Sequence, residues 1–95
     1  MIAKNGLKLN GKNGYFYLEV NDDLAAKMTF YFSDEKTIII DHAEVDEAFN
    51  GLGYGKKMVA DAVQYAREKE LKIIPVCPFV KKVLERNPEY SDVLK

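Results

Sequence analysis

The chain reads Asn50-Gly51-Leu52-Gly53-Tyr54-Gly55-Lys56-Lys57-Met58 just past its midpoint, with glycine at every second position from 51 to 55. A run of β-branched residues precedes this stretch, and a helical pattern of apolar residues follows it. Glycine accepts positive φ angles and lets a ligand approach the main chain, while the first turn of a helix presents amide N–H groups and a positive dipole end. The stretch therefore predicts a loop that binds a phosphate or pyrophosphate group. The alternative is a tight strand-to-helix connection that binds no ligand.

Two common phosphate-binding patterns do not fit this stretch. The dinucleotide pattern G-x-G-x-x-G fails because Met58 stands where the third glycine belongs. The Walker A pattern fails because Lys57 replaces the Ser or Thr that should follow Gly55-Lys56, and Asn50 replaces its first glycine. The spacing thus excludes a Rossmann-type site and argues against nucleotide hydrolysis.

Length and composition indicate one small domain without a strong overall charge. The chain has 95 residues, of which 47% are hydrophobic, and a formal net charge of −1. This charge argues against duplex nucleic acid or an anionic membrane as the partner. A single cysteine allows no internal disulfide, and the start of the chain lacks an apolar run of signal-peptide or membrane-spanning length. We therefore expect a cytoplasmic protein.

The hydrophobic pattern predicts an α+β fold with a mixed, mostly antiparallel sheet and two helices, formed by residues 1–95 as one domain. Period-two alternation predicts strands from Tyr15 to Val20 and from Ala26 to Phe32, followed by a strand from Thr37 to Val45. A helix from Gly55 and a strand from Leu71 to Val76 follow, and this crossover favours parallel pairing. The last helix, Phe79 to Arg86, is expected to bury four residues: Phe79, Val80, Val83 and Leu84.

The glycine loop resembles the coenzyme A loop of the Gcn5-related N-acetyltransferases (GNAT), Arg/Gln-x-x-Gly-x-Gly/Ala. The matching positions are Asn50, which replaces Arg or Gln, Gly53 and Gly55. The resemblance extends from the strand at Thr37 to Phe79, and looks like the minimal, YjdJ-type subgroup. That short subgroup carries a histidine on the strand before the loop and a cysteine just after the next strand, here His42 and Cys77.

This resemblance implies that acetyl-CoA binds where the two parallel strands diverge. The amides of its pantetheine arm would pair with the strand edge from Ala43 to Val45, and its pyrophosphate would bind the amides between Leu52 and Lys57. The implied cofactor-binding residues are Ala43, Val45, Asn50, Gly51, Leu52, Gly53, Tyr54, Gly55, Lys56 and Lys57.

Two residues are candidates for catalysis. His42, the single histidine, is suited to accept a proton from an ammonium group, and simple alternation places it on the same strand face as Ile40 and Glu44. Cys77 follows the second parallel strand and precedes a helix, a position from which a thiol can protonate the departing thiolate or carry an acetyl group. The alternatives are an ordinary strand histidine and a small buried cysteine.

The resemblance implies transfer of acetyl from acetyl-CoA to an amine acceptor by direct attack, and the acceptor could be a protein lysine or N-terminus. A non-catalytic acyl-CoA-binding or protein-interaction module is the alternative. A third interpretation, an RNA-binding domain, would use the aromatic strands Tyr15-Phe16-Tyr17 and Phe30-Tyr31-Phe32 for stacking. The net charge and the alternation, which assigns the phenylalanines to the core, argue against it.

Overall fold

A computed structural model of the protein describes residues 3–95. Its helices and strands are β1 (Ala3–Asn10), β2 (Asn13–Val20), β3 (Asp23–Asp34), β4 (Thr37–Val45), α1 (Tyr54–Lys69), β5 (Lys72–Pro75) and α2 (Pro78–Arg86), with short 3₁₀ turns at Glu47–Phe49 and Pro88–Tyr90. The strands lie in the order β1-β2-β3-β4-β5, antiparallel up to β4 and parallel between β4 and β5. The predicted mixed sheet with two helices is confirmed.

The sequence pattern did not predict the strand β1. β1 pairs with β2 along its whole length, yet it contains no buried residue. Its sequence therefore lacks the apolar alternation by which half-buried strands are recognised, because an edge strand of a two-layer fold contributes little to the core.

The core lies between one face of the sheet and both helices. β2 and β3 contribute alternate residues, among them Phe16, Leu18, Met28 and Phe30. α1 buries five apolar residues that recur at helical spacing (Met58, Val59, Ala62, Val63 and Ala66), and α2 buries Val80, Val83 and Leu84 in the same cluster. The opposite sheet face, which we call the open face, carries polar and aromatic side chains, and no helix formed by residues 3–95 packs on it. None of those helices is long and apolar enough to cross a bilayer.

Phe79 differs from its prediction, because its side chain is 41% exposed and not buried in the core. It lies in the first turn of α2, where its ring rests against the backbone of α1. A Cβ atom placed on Gly55 would stand 2.8 Å from the Cζ atom of this ring. The ring therefore packs on Gly55 with one side and leaves the other side accessible.

The segment after α2 is held to the fold by Arg67 of α1. The guanidinium group donates from Nε and Nη2 to the two carboxylate oxygens of Asp92, both at 2.9 Å, and Nη2 also donates to the carbonyl of Glu89. The main chain then pairs with β5, since the Ile73 amide donates to the Val93 carbonyl at 2.7 Å. The C-terminal segment thus extends the sheet edge beyond β5.

We expect this ion pair to stabilise the fold in a pH-dependent way. Hydrogen bonds from Arg67 hold the pKa of Asp92 below its usual value. A carboxyl group with a lowered folded-state pKa stabilises the fold above its unfolded value of about 3.9, and this contribution disappears as the pH falls through the folded-state pKa. Thermal unfolding of Asp92→Asn should show a lower Tm than wild type at pH 7, and the difference should shrink below about pH 4. A difference independent of pH would contradict this assignment.

Candidate active site

A gap opens in the sheet where β5 leaves β4. The two strands pair only from Thr37 with Lys72 to Ile40 with Pro75. The amides of Val76 and Cys77 then both donate to the Ile40 carbonyl, at 3.0 and 3.1 Å, as the chain turns into α2. β4 continues to Val45, paired with β3 alone among the described strands. The divergence of the two parallel strands, expected from the resemblance, is therefore present.

A β-bulge in β4 determines which sheet face the side chains beside this gap occupy. Phe30 pairs with Ile40 and Thr29 pairs with His42, so Asp41 is an extra residue on β4. After the bulge, Ala43 and Val45 pack against the core, whereas His42 and Glu44 lie exposed on the open face. The prediction that His42 shares a face with Ile40 is wrong, because the extra residue reverses the alternation. Its pairing with Glu44 on one face is correct.

The bulge also orients the main chain of β4. The Asp46 amide donates to the Ala25 carbonyl of β3 at 2.8 Å. Since backbone groups of an antiparallel strand alternate in direction, those of Ala43 and Val45 point away from β3, toward the gap. These are the two β4 residues expected to pair with a ligand through their main chain.

The glycine loop contains two left-handed residues. Gly51 has φ 79° and Gly53, the N-cap of α1, has φ 78°. A Cβ atom on either would meet nothing within 4 Å, so the conformation and not the available space requires glycine there. Gly55 is glycine for a different reason, since it is helical and lies against the ring of Phe79.

We expect Gly55→Ala to separate these two reasons. In the wild-type background the new methyl group meets the Phe79 ring, and overpacking of this kind costs about 1–3 kcal/mol. In the Phe79→Ala background the clash is absent, and the substitution should stabilise the helix by up to about 1 kcal/mol. Urea unfolding of the four proteins measures this coupling. If Gly55→Ala changed the free energy of unfolding with the same sign in both backgrounds, the contact between Gly55 and Phe79 would be contradicted.

The start of α1 lies beside the gap. Its first helical hydrogen bond runs from the Lys57 amide to the Gly53 carbonyl at 3.0 Å, so the amides of Gly55 and Lys56 precede the intrahelical ladder. A cleft of about 350 Å³ lies here, lined by Val45, Phe49, Asn50, Gly51, Gly53, Tyr54, Gly55, Lys56 and Phe79.

The cleft brings together most, but not all, of the predicted cofactor-binding residues. Ala43, Leu52 and Lys57 do not line it; Leu52 is 54% exposed and Lys57 points to solvent. Two aromatic walls were missed by sequence reasoning. Phe49 belongs to the 3₁₀ turn between β4 and the loop, and Phe79 was assigned to the core. The sequence does contain a signal for Phe79. It directly follows Cys77-Pro78, the start of α2, and a side chain in the first turn of this helix lies near the end of β4.

His42 lies on the open face beside the gap, with the acidic residues Asp41 before it and Glu44 after it on β4. Its Nε2 atom is 3.5 Å from Oε2 of Glu44, and both side chains are more than 60% exposed, at 63% and 64%. On its other side Asp41 accepts a hydrogen bond of 2.7 Å from the Thr29 hydroxyl. The three side chains form an exposed, acidic group at the bulge.

Cys77 occupies a different environment from His42. It is the N-cap residue of α2, is 6% exposed and belongs to the hydrophobic core. The two candidate catalytic side chains therefore do not converge: the imidazole lies on the open face and the thiol lies in the core. The burial of Cys77 matches the alternative of a small core residue, and its catalytic role stays a prediction.

Comparisons with known proteins agree with this architecture. A family model described as GCN5-related N-acetyl-transferase matches residues 15–93. The NMR structure of a GCN5-like protein from Staphylococcus aureus is 36% identical, covers 95% of this chain and 87% of its own, and superposes with a TM-score of 0.72. A GNAT family acetyltransferase from Elizabethkingia anophelis, solved with acetyl-CoA bound, is 22% identical over 67% of this chain and 42% of its own, with a TM-score of 0.61. This second likeness is one of fold alone.

A curated relative is similar over part of its length. Protein NATD1 of Xenopus tropicalis is 30% identical over 63 residues, which are 66% of this chain and 58% of that protein. The match thus spans less than two thirds of the relative. None of these similarities tests the likeness to the YjdJ-type subgroup, which stays a prediction.

Proposed function

Because the chain belongs to the family of GCN5-related N-acetyltransferases, we propose that it binds acetyl-CoA and transfers the acetyl group to an amine. The observation that carries this proposal is the cleft between the end of β4 and the start of α1. It combines a helix start whose first amides lie outside the intrahelical ladder, main-chain groups of β4 directed toward a gap, and aromatic walls.

The residues of the cleft fit the three chemical parts of acetyl-CoA. The left-handed Gly51 and Gly53 leave the loop backbone open in space, and the amides of the first turn of α1 suit a pyrophosphate. Lys56 lines the same cleft and adds positive charge. Ala43 and Val45 would hydrogen-bond the pantetheine amides, with Phe79 as an apolar wall. When bound, acetyl-CoA supplies a thioester-activated acetyl group.

The chain's own residues would accept and donate protons and would position the thioester carbonyl group. We assign Nε2 of His42, which lies 3.5 Å from Oε2 of Glu44, as the group that takes a proton from the acceptor's ammonium, directly or through water, so that the free amine can attack. A main-chain amide near Val45 would donate a hydrogen bond to the thioester carbonyl oxygen. The thiol of Cys77 is the proposed proton donor to the departing sulfur, or alternatively the nucleophile.

The proposal is tested by titrating acetyl-CoA into the protein and following backbone amide NMR shifts. We expect the largest shifts at Gly51 to Lys57 and at Ala43 to Val45. S-acetyl-pantetheine, which lacks the pyrophosphate, serves as the matched control and should leave the loop resonances nearly unmoved. If millimolar acetyl-CoA moves nothing at the loop, the cofactor assignment fails.

One observation favours a second candidate, a non-catalytic acyl-CoA-binding or protein-interaction module. Cys77 lies in the core, on the other side of the sheet from His42, so the two do not form a joint acid–base pair. Such a module would need the loop and the β4 edge but neither catalytic candidate. Its acetyl-CoA affinity would therefore come without transfer to any amine.

We expect Cys77→Ala to distinguish the roles of this cysteine. If Cys77 is the proton donor, its loss should lower kcat by at least about 100-fold, the lower end of the range for general acids. Acetyl-CoA affinity, measured by calorimetry, should remain within about twofold because the loop is untouched. Cys77→Ser, which keeps a hydroxyl proton, should retain part of the rate. An unchanged rate in both variants would assign Cys77 to the core alone.

A further inference from the structure

A second groove, separate from the acetyl-CoA cleft, crosses the open face of the sheet. Its volume is about 590 Å³, and side chains of four strands line it, including Lys8 of β1, Tyr15 of β2, Thr29 and Tyr31 of β3, and Asp41 of β4. Among the described residues it shares no lining residue with the cleft at the start of α1. We call it the open-face groove.

The open-face groove ends at the gap in the sheet. Asp41 is the bulged residue that directly follows Ile40, where pairing between β4 and β5 stops. The Thr29 hydroxyl holds the Asp41 carboxylate at 2.7 Å, and His42 follows next along β4. A ligand in this groove would thus present one of its ends to the group proposed to accept a proton.

The two ends of the open-face groove carry opposite charges. Asp41 stands at the β4 end and Lys8 stands at the β1 end. These strands are three interstrand spacings apart, which corresponds to about 14 Å. Between them the lining includes Tyr15 and Tyr31. Tyr31 is 38% exposed, and the ammonium group of Lys27 lies over the Tyr15 ring, 4.5 Å from its centroid. The groove therefore suits an extended ligand with a cation at one end and an anion at the other.

We propose that the open-face groove binds the acetyl acceptor, and that this acceptor is the free amino end of a peptide with acidic residues near its fourth position. The amino group pairs with Asp41, and the acidic side chains pair with Lys8. An extended peptide rises about 3.3 Å per residue, so four residues span the distance between the two ends. Tyr15 and Tyr31 contact the peptide between them. The inference rests on the proposed acetyl transfer and names its substrate class.

A single-stranded nucleic acid is the competing occupant, because exposed tyrosines and lysines on a sheet also suit base stacking. The carboxylates of Asp41 and Glu44 oppose it, since they would stand beside phosphate groups on the same sheet face. The carboxylate of Asp41 thus favours a ligand with a cationic end, which the free amino terminus of a peptide supplies.

The test uses three pentapeptides, each amidated at its carboxyl end and titrated into the protein with NMR detection. The first has a free amino terminus and glutamates at positions four and five, the second is its N-acetylated form, and the third has glutamines in place of the glutamates. We expect the first to shift the amides of Tyr15, Tyr31 and Asp41. Each matched peptide should bind at least about fivefold more weakly, because one charge contact is lost.

Two variants assign the charge contacts. Asp41→Asn should lower the affinity for the free-amine peptide to that for the acetylated peptide. Lys8→Gln should remove the preference for the glutamate peptide over the glutamine peptide. Lys82→Gln, on the exposed side of α2, is the matched control and should change neither. Equal affinities of the free and acetylated peptides, or no shift in the groove at millimolar peptide, would overturn the proposal. So would binding of oligouridylate in the groove with a steep salt dependence.

Acetyl-CoA titrated into the same samples separates the two proposals. Shifts at the glycine loop without any peptide shift in the groove would overturn the acceptor inference and leave the proposed function intact. Peptide shifts in the groove without any acetyl-CoA shift at the loop would overturn the proposed function and, with it, the assignment of the peptide as an acetyl acceptor.

Discussion

Replacing Gly53 by valine is expected to raise the dissociation constant for acetyl-CoA at least about thirtyfold, which corresponds to roughly 2 kcal/mol. Gly53 is the N-cap of α1 at φ 78°, ψ 13°, a conformation that β-branched side chains avoid. The first turn of α1 must therefore rearrange, and its amides move away from the position in which they face the cleft. Calorimetric titration with acetyl-CoA measures the effect.

Gly53→Asn provides the matched control, because asparagine tolerates the left-handed conformation far better than valine. The space around Gly53 is open, with no heavy atom within 4 Å of the position that a Cβ atom would take, so neither variant is expected to clash. We expect Gly53→Asn to bind acetyl-CoA within about threefold of wild type, and both variants to unfold cooperatively. Equal affinity of the valine variant and wild type would remove the loop from the binding site.

Replacing His42 by glutamine is expected to lower kcat about 100-fold, within the usual range for a general base. Glutamine keeps a polar side chain on the open face, and the His42 side chain is largely exposed, so stability should change little. Because His42 does not line the cleft, acetyl-CoA affinity should stay within about twofold of wild type. Steady-state kinetics with the free-amine acidic pentapeptide measures the rate.

The pH–rate profile gives His42→Gln a readout that a structural role would not change. We expect the wild-type rate to rise with pH and this rise to disappear in the variant, because a general base must be unprotonated to accept a proton, whereas a glutamine side chain is not a base. Lys69→Gln, exposed at the end of α1, is the control and should keep both rate and profile. If His42→Gln keeps the wild-type rate, the proton acceptor lies elsewhere and the acidic side chains at the bulge become the next candidates.

Much of the fold was predictable because its signals are local. The alternation of Phe16, Leu18 and Val20 predicts a half-buried strand, and all three are buried. The apolar spacing of α1 likewise predicts the five residues that it buries. Parallel pairing of β4 and β5 follows from a helix crossover of ordinary length. β1 could not be found in this way, because none of its residues is buried.

The glycine loop and the gap between β4 and β5 were predictable from a sequence motif. The physical reason why each loop position must be glycine was not. Gly51 and Gly53 are required by their positive φ angles, whereas Gly55 is required by the Phe79 ring of a helix that begins 23 positions later in the sequence. A contact between residues so far apart leaves no trace in the local pattern. Phe79 was assigned to the core for the same reason.

Sequence alone determined the order of the elements from β2 onward, the apolar faces of β2, β3 and α1 and the position of the glycine loop, because these depend on neighbouring residues and on helix and strand periods. Tertiary structure alone decided which sheet face each side chain of β4 occupies beyond Ile40 and where the main-chain groups point. The bulge at Asp41, which exists only in the pairing of β3 with β4, places His42 on the opposite sheet face from Ile40. Beyond it, the side chains of Ala43 and Val45 pack against the core and their main-chain groups point toward the gap. The bulge also separates His42 from Cys77, because one extra residue in a strand reverses the face of every side chain beyond it.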